Sequence, residues 1–284
     1  MICADLHLHT NYSDGIYEPE DVFRKVKEKE IQYISITDHD TFFHYPLIQQ
    51  LGIKYDIKTI PGVEISCYNY EKRKKVHIVG LFLNEYAPNV TTLCNKILQK
   101  RNDYHKELIL QFQKMGYEIT YQDAKEFSPH NIVFKMNIFQ ALKKKYPELD
   151  DNFYKKYFQG KVPFEVEIKM GYASVKEGIE AVLLDGGVPV LAHPNFYDSF
   201  PDIEEYVSYG LKGIEVDHHS MNDDDRLKAR YFAEKYNLMK SGGSDFHKVR
   251  YTKDHKENLG TFGLTDIEIK QLLEDQKKWK SCRK

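Results

Sequence analysis

The stretch Ile2-Cys3-Ala4-Asp5-Leu6-His7-Leu8-His9 sets the reading of this chain. It opens as an apolar run with strand character, and side chains two apart on a strand point the same way. Asp5, His7 and His9 therefore share one face, while Leu6 and Leu8 take the other. Two imidazoles at that spacing can grip one metal ion, and Asp5 could orient one of them through its second ring nitrogen. Surface histidines match such a short pattern by chance, so the motif needs support from the rest of the chain.

Support comes from further apolar, β-branched runs at Tyr33–Thr37, Ile57–Ile65, Val76–Leu81, Val188–Ala192, Leu211–Val216 and Leu238–Ser241. Amphipathic helical stretches alternate with them at Glu20–Glu30, Val175–Asp185, Ile203–Tyr209, Asp223–Tyr236 and Asp266–Lys280. This alternation predicts an α/β fold with a mainly parallel sheet, and seven strand candidates point to a closed or distorted barrel. The pattern fails between about Tyr86 and Glu167, where Leu93, Ile97, Leu108 and Phe112 recur at helical spacing. We read residues 86–167 as a helical insertion over one face of a barrel built from residues 1–85 and 168–284.

Imidazole and carboxylate groups recur where the apolar runs finish. Thr37-Asp38-His39-Asp40 follows the second run, Gly62-Val63-Glu64 ends the third, and His77 lies in the fourth. His193 ends the fifth, and Gly242-Gly243-Ser244-Asp245-Phe246-His247 follows the seventh. In a parallel barrel these ends converge on the face where catalytic groups sit. Any one of these residues could be an ion-pair partner or a core histidine, but their recurrence points to a metal centre.

Composition narrows the class. The 284 residues are 41% apolar, enough for one substantial core. With 41 basic against 43 acidic residues, the net charge of −2 gives no reason to expect long nucleic acid or a membrane as partner. The basic run Lys72–Lys75 reads as a hairpin turn. Cys3, Cys67, Cys94 and Cys282 form no CxxC pair and suit a reducing compartment. The N-terminus has no basic-then-apolar leader, and no stretch approaches the roughly 20 apolar residues that span a bilayer. A cytoplasmic protein is the expectation.

The six motifs DLHLHTNYSDG (5–15), ITDHD (36–40), PGVEIS (61–66), VHIVG (76–80), LAHP (191–194) and GGSDFH (242–247) together resemble the PHP (polymerase and histidinol phosphatase) superfamily. The likeness is strongest to its branch of small nucleotide and 3′,5′-nucleoside bisphosphate phosphatases, and it covers about residues 1–85 and 170–262. It implies a distorted (β/α)7 barrel with a trinuclear centre. Carried over by motif, it implies His7, His9, Glu64 and Asp245 on a first metal, and Glu64 bridging to a second completed by His77 and His193. Asp14, His39 and His247 would hold the third.

Mixed imidazole and carboxylate ligands suit two to three divalent ions of Mn, Fe or Zn. Three such ions facing only three ligand carboxylates leave a positive excess that attracts a phosphate dianion. A hydroxide bridging two metals is then a ready nucleophile at neutral pH. Asp38 either orients a ligand or accepts a proton from that water. His219, in Asp217-His218-His219-Ser220, is the candidate donor to the substrate, with His218 read as turned toward solvent. His44, His105, His130 and His255 lack strand-end context and are read as surface residues.

Two departures from the branch bear on substrate. The branch tends to read HPGRY where this chain has His193-Pro194-Asn195-Phe196-Tyr197, and Arg-x-His where it has Lys135-Met136-Asn137. Lys135 and Asn195 are the candidate substrate-binding residues, and they neutralise less charge than arginine forks would. The expected activity is hydrolysis of a small phosphomonoester, a nucleoside mono- or bisphosphate. The rivals are a histidinol-phosphate phosphatase, a 5′–3′ exonuclease on short RNA, and a non-catalytic metal module. The aromatic-rich Tyr104–Tyr121 segment suits stacking on a base.

Overall fold

Residues 1–128, 132–158, 168–247 and 258–282 are described by a computed structural model of the chain. The apolar runs form β1 (Ile2–Leu8), β2 (Tyr33–Ile36), β3 (Lys58–Thr59), β4 (Gly62–Asn69), β5 (Lys74–Leu81), β6 (Ala173–Ser174), β7 (Val188–Leu191), β8 (Gly213–His218), β9 (Met239–Gly243) and β10 (Leu264–Thr265). Helices α1 (Pro19–Glu28) and α2 (Tyr45–Tyr55) follow the first two strands. After residue 86 come α3 (Pro88–Lys114), α4 (Tyr121–Lys125), α5 (Lys135–Lys145) and α6 (Asp151–Phe158). The strand–helix alternation then resumes with α7 (Val175–Leu184), α8 (Ile203–Ser208), α9 (Asp223–Lys235) and α10 (Asp266–Ser281). Ser174 with Glu177, Asn222 with Asp225 and Thr265 with Glu268 form capping boxes, which fix where α7, α9 and α10 begin.

The strands lie in two sheets, ordered β10-β1-β2-β3 and β6-β4-β5-β7-β8-β9. Two short seams join the sheets, one between the ends of β1 and β9 and one between the end of β2 and β4. At one, Asp245 N donates to His7 O (2.9 Å) and His9 N to Phe246 O (3.0 Å). At the other, Glu64 N donates to Thr37 O (3.1 Å) and Asp40 N to Glu64 O (2.9 Å). The circuit β1-β2-β4-β5-β7-β8-β9 therefore returns to β1: a distorted seven-stranded ring whose seams carry the histidine- and carboxylate-bearing segments. Gly243 is required at the first seam, since a Cβ there would lie 2.4 Å from the His7 Cβ.

Two expectations change. The Ile57–Ile65 run is broken at Pro61, which has no N–H to give a ladder, so Glu64 sits early in β4 and not at a strand end. The sheet is also less parallel than expected: β4 pairs antiparallel with β5, and β5 with β7. The Tyr70–Arg73 turn between β4 and β5 is too short for a crossover. Lys72 of that turn and Lys74, which opens β5, pair with Asp202, as suits a basic hairpin.

The helical stretch has its own apolar cluster, in which Leu108, Ile109 and Phe112 of α3 meet Ile138, Phe139 and Leu142 of α5 and Phe158 of α6. The first half of α3 belongs instead to the main core, where Val90, Cys94 and Ile97 meet Val175 and Ile179. Tyr104, Tyr117 and Tyr121 are partly buried and pack against the helical cluster, so the aromatic stripe contributes to its core. Among the described residues no helix is long and apolar enough to cross a membrane, and all four cysteines are free thiols.

Candidate metal centre

Glu64 is the hub. Its Oε2 lies 3.2 Å from His7 Nε2, 3.2 Å from His9 Nε2 and 3.1 Å from His39 Nδ1. Its Oε1 lies 2.7 Å from His77 Nδ1 and 3.0 Å from His193 Nε2. One 1%-exposed carboxylate thus faces five imidazoles, His7 and His77 from strands β1 and β5, and His9, His39 and His193 from the segments just after β1, β2 and β7. Asp245 Oδ1 stands 3.2 Å from His9 Nε2 and 3.5 Å from His7 Nε2. On the far side of His9, Asp14 Oδ1 lies 3.0 Å from His247 Nε2 and Asp14 Oδ2 lies 3.8 Å from His39 Nε2. All nine sequence-predicted positions therefore meet in one place.

Seven buried atoms of these residues and of His218 make no hydrogen bond: His7 Nε2, His9 Nε2, Asp14 Oδ1, His39 Nδ1, Glu64 Oε2, His193 Nδ1 and His218 Nε2. Buried polar atoms are almost always satisfied, so a converging set of unsatisfied ones fits cations held between them. Five groupings bring ligand atoms within 4.8 Å of one another: His7, His9, Glu64 and Asp245; His39, Glu64 and His77; His9, Asp14, His39 and His247; and, through the strand beside them, His7, Glu215 and His218, and His218, His219 and Asp245. Electrostatics agree with that fit. Burial pushes the Glu64 carboxyl up, but the His39, His7 and His77 rings hold it well below its usual range. Burial pushes the His9 imidazole down, yet Asp245 and Glu64 keep it up at about 10. Burial pushes the His39 and His77 imidazoles down, toward the neutral form that a metal ligand requires. Backbone strain gathers here too: Asp40, His193 and Asp245 take positive φ of 54°, 26° and 52°.

The surrounding partners differ from expectation. Asp5 orients no imidazole: it accepts from Ser244 N (2.9 Å) and Ser244 Oγ (2.6 Å), tying β1 to the loop that carries Asp245. The Nδ1 of His7 goes instead to Glu215 Oε1, at 2.8 Å. His218 is not turned toward solvent but buried, its Nε2 3.4 Å from Asp245 Oδ2. Both Asp38 oxygens are occupied, accepting from Thr10 N (2.7 Å), Ser13 Oγ (2.5 Å) and Thr10 Oγ1 (2.6 Å), with His44 Nε2 at 2.9 Å. Burial raises the Asp38 carboxyl, but His44 and these bonds bring it down to about 2.

His219 lies beside the centre, its ring 4.3 Å from that of His218 and its Nδ1 3.1 Å from Ser244 O. The Asn195 amide donates to Ser220 O (2.8 Å), joining the loops after β7 and β8. Lys135 Nζ donates to Phe158 O (2.9 Å) inside the helical stretch. His105 is buried there as well, bonded to Val133 O, and is not a surface residue. His44 is likewise buried, against Asp38. His130 and His255, like Lys248 and Arg250, lie outside the described residues. Glu215 was the residue missed, although a lone carboxylate inside the apolar run Gly213–Val216 was a visible signal.

The family model of the PHP domain matches residues 5–219, about three quarters of the chain. The chain belongs to the PHP family. It is 30% identical to the phosphoribosyl 1,2-cyclic phosphate 1,2-diphosphodiesterase of Eggerthella lenta, over 86% of this chain and 93% of that one. It is 27% identical to a 5′-3′ exoribonuclease of Haemophilus influenzae, over 86% and 89%. It is 26% identical to the 3′,5′-nucleoside bisphosphate phosphatase of Chromobacterium violaceum, over 87% and 88%. Among solved structures it resembles an amidohydrolase of Chromobacterium violaceum with bound sulfate and no metal, at a TM-score of 0.77 and 25% identity over 86% and 87%. PHP membership and relatives each named for phosphoester hydrolysis make the chain a metal-dependent phosphoesterase of the PHP type.

Proposed function

We propose that this PHP enzyme hydrolyses a small phosphate ester of a pentose, a nucleoside mono- or bisphosphate first among them. The observation that carries the reading is the set of buried, unsatisfied nitrogen and oxygen atoms gathered around Glu64. We assign His7, His9, Asp14, His39, Glu64, His77, His193, Asp245 and His247 as ligands of two to three Mn, Fe or Zn ions. Such ions, when bound, supply an activated water and neutralise charge on the phosphoryl oxygens.

The other residues hold and shape. Asp38, with both oxygens committed, keeps the Thr10–Ser13 loop in place and so sets Asp14; it is a positioning residue on this reading. The Nδ1 of His219 donates to the Ser244 carbonyl, so on this reading it is the doubly protonated ring that gives a proton or hydrogen bond toward the leaving oxygen from Nε2. At the rim, Phe196 is 59% exposed with its ring 5.7 Å from that of His193, and it offers a flat apolar face to a sugar or base. Lys135 and Asn195, already engaged, contribute charge and loop shape more than a direct phosphate clamp. We retain residues 86–167 as the insertion that shapes the pocket, and the cytoplasm as the compartment that suits four free thiols.

A second reading has its own support. The 30% identity to the cyclic phosphate diphosphodiesterase exceeds the 26% to the bisphosphate phosphatase, which favours a cyclic pentose phosphodiester as substrate. All three relatives are named for phosphates of a pentose or its polymers, so the readings share one chemistry. Phosphate release from a nucleoside 5′-monophosphate, a 3′,5′-bisphosphate, a ribose cyclic phosphate and a short RNA, each with Mn, separates them. A rate independent of chain length on RNA would favour the exonuclease instead.

A further inference from the structure

Strand β8 carries none of the nine residues assigned as ligands, yet it runs through the middle of the centre. Side chains three apart on a regular strand face opposite ways. Glu215 and His218 nevertheless both face the ligands, and a bulge explains how. Pairing with β9 runs Glu215↔Ser241, then Asp217↔Gly242 and His218↔Gly243, so β8 advances two residues where β9 advances one. The extra residue resets the alternation. Asp217 falls on the opposite side, where it accepts from Arg226 Nε (2.7 Å) and Gly263 N (3.0 Å).

We propose that β8 is the aligning strand of the metal centre: Glu215 fixes His7 and His193, and His218 fixes Asp245, without either binding an ion. The proposal rests on the metal-centre reading above and adds residues to it. Glu215, 1% exposed, places Oε1 2.8 Å from His7 Nδ1 and accepts from His193 N at 2.6 Å through Oε2. An ionised carboxylate only accepts, so His7 carries its proton on Nδ1. Its Nε2, 3.2 Å from Glu64 and 3.5 Å from Asp245, is then the lone pair directed at the centre. The same carboxylate pins the backbone of His193, whose φ of 26° needs such a restraint.

His218 is set by equally local bonds. Ser220 N donates to its Nδ1 at 3.1 Å, and a backbone N–H can only donate, so Nδ1 is the acceptor. Ser220 Oγ also lies 2.8 Å from that nitrogen and 3.0 Å from Asn195 Oδ1, and with Nδ1 an acceptor its single proton is shared between these two. The His218 proton therefore sits on Nε2, 3.4 Å from Asp245 Oδ2. A protonated nitrogen cannot ligate a metal but can hold a carboxylate in one rotamer. Three assigned ligands, on β1 and in the loops after β7 and β9, thus take their orientation from one bulged strand. The bulge is what makes the arrangement possible.

The test compares metal affinity in the full-length protein, stripped with a chelator and titrated with Mn or Zn against a chromogenic competitor. E215Q should bind about 10- to 100-fold more weakly than wild type, the size of loss seen when a partner of a metal-ligating side chain is removed. D217N, on the opposite face of the strand, should keep wild-type affinity even if its melting temperature falls. H218A should also weaken binding, and H218Q, which restores an N–H donor, should recover part of it. In ¹⁵N-imidazole spectra of the metal-free protein, the His7 Nδ1–H signature should be lost in E215Q. Wild-type affinity in both E215Q and H218A would overturn the proposal while leaving the metal centre intact. A wild-type protein that takes up no metal would overturn the metal-centre reading and this inference with it.

Discussion

Oε2 of Glu64 and Nε2 of His9 stand 3.2 Å apart, both buried, and neither makes a hydrogen bond. They belong to different sheets, brought together where β4 and the end of β1 approach the seams of the ring. Leaving two such atoms unsatisfied costs roughly 1–3 kcal/mol each. A fold retains that cost where a cation between them offsets it, and the same geometry repeats at His7, His39 and Asp14.

Asp38 separates positioning from proton transfer. Replacing it with Asn leaves one acceptor oxygen for contacts with Thr10, Ser13 and His44. The rate should fall by about 10- to 100-fold, as when partners of metal ligands are altered, and the pH–rate profile should keep its shape. Loss of the acidic limb with metal content intact would instead mark Asp38 as the proton acceptor.

Arg101 of α3 reaches Asp40, next to His39, with NH2 2.5 Å from Oδ2 and 2.9 Å from Ser66 Oγ. Asp40 is fully buried, so Arg101→Met leaves a carboxylate short of its countercharge and should cost about 3–5 kcal/mol in urea unfolding. Pairing it with Asp40→Asn should cost less than the two single changes added together. Strict additivity would show that the two groups do not communicate.

Much of the centre is legible in the sequence, because strand ends display chemistry against an apolar background. His39, His193 and Asp245 stand out for that reason. Glu215 shows only as a lone carboxylate between Ile214 and Val216, and the bulge after it, which brings His218 to the same face, leaves no compositional mark. His218 was misread for the same reason: alternation counted from Glu215 points it outward. The antiparallel β4–β5 pair was available from loop length, and the break in the third run from Pro61. Tyr104, Tyr117 and Tyr121 could not be separated from a binding surface by spacing alone, because a core stripe and a platform share the helical period.

Substrate preference should follow Phe196, which stands where the related phosphatases tend to carry arginine. The wild-type enzyme should hydrolyse a nucleoside monophosphate at least as efficiently as the 3′,5′-bisphosphate, because a second phosphate would be poorly paired. Phe196→Arg should shift kcat/KM toward the bisphosphate by roughly tenfold, the effect of one charge-assisted contact of about 1.5 kcal/mol. A wild-type enzyme that already prefers the bisphosphate by a large factor would show that another cation fills the role.

The decisive measurement is metal content, by elemental analysis, of the wild-type protein and of Glu64→Ala after reconstitution with Mn, alongside phosphate release. Glu64 faces both the His7–His9–Asp245 group and the His39–His77 group, so its loss removes a ligand from each. Wild type should carry two to three ions per chain and lose activity to a chelator. Glu64→Ala should lack two of those ions while remaining folded, and should release no phosphate. A Glu64→Ala protein that keeps its full complement of metal would contradict the bridging role on which the whole centre depends.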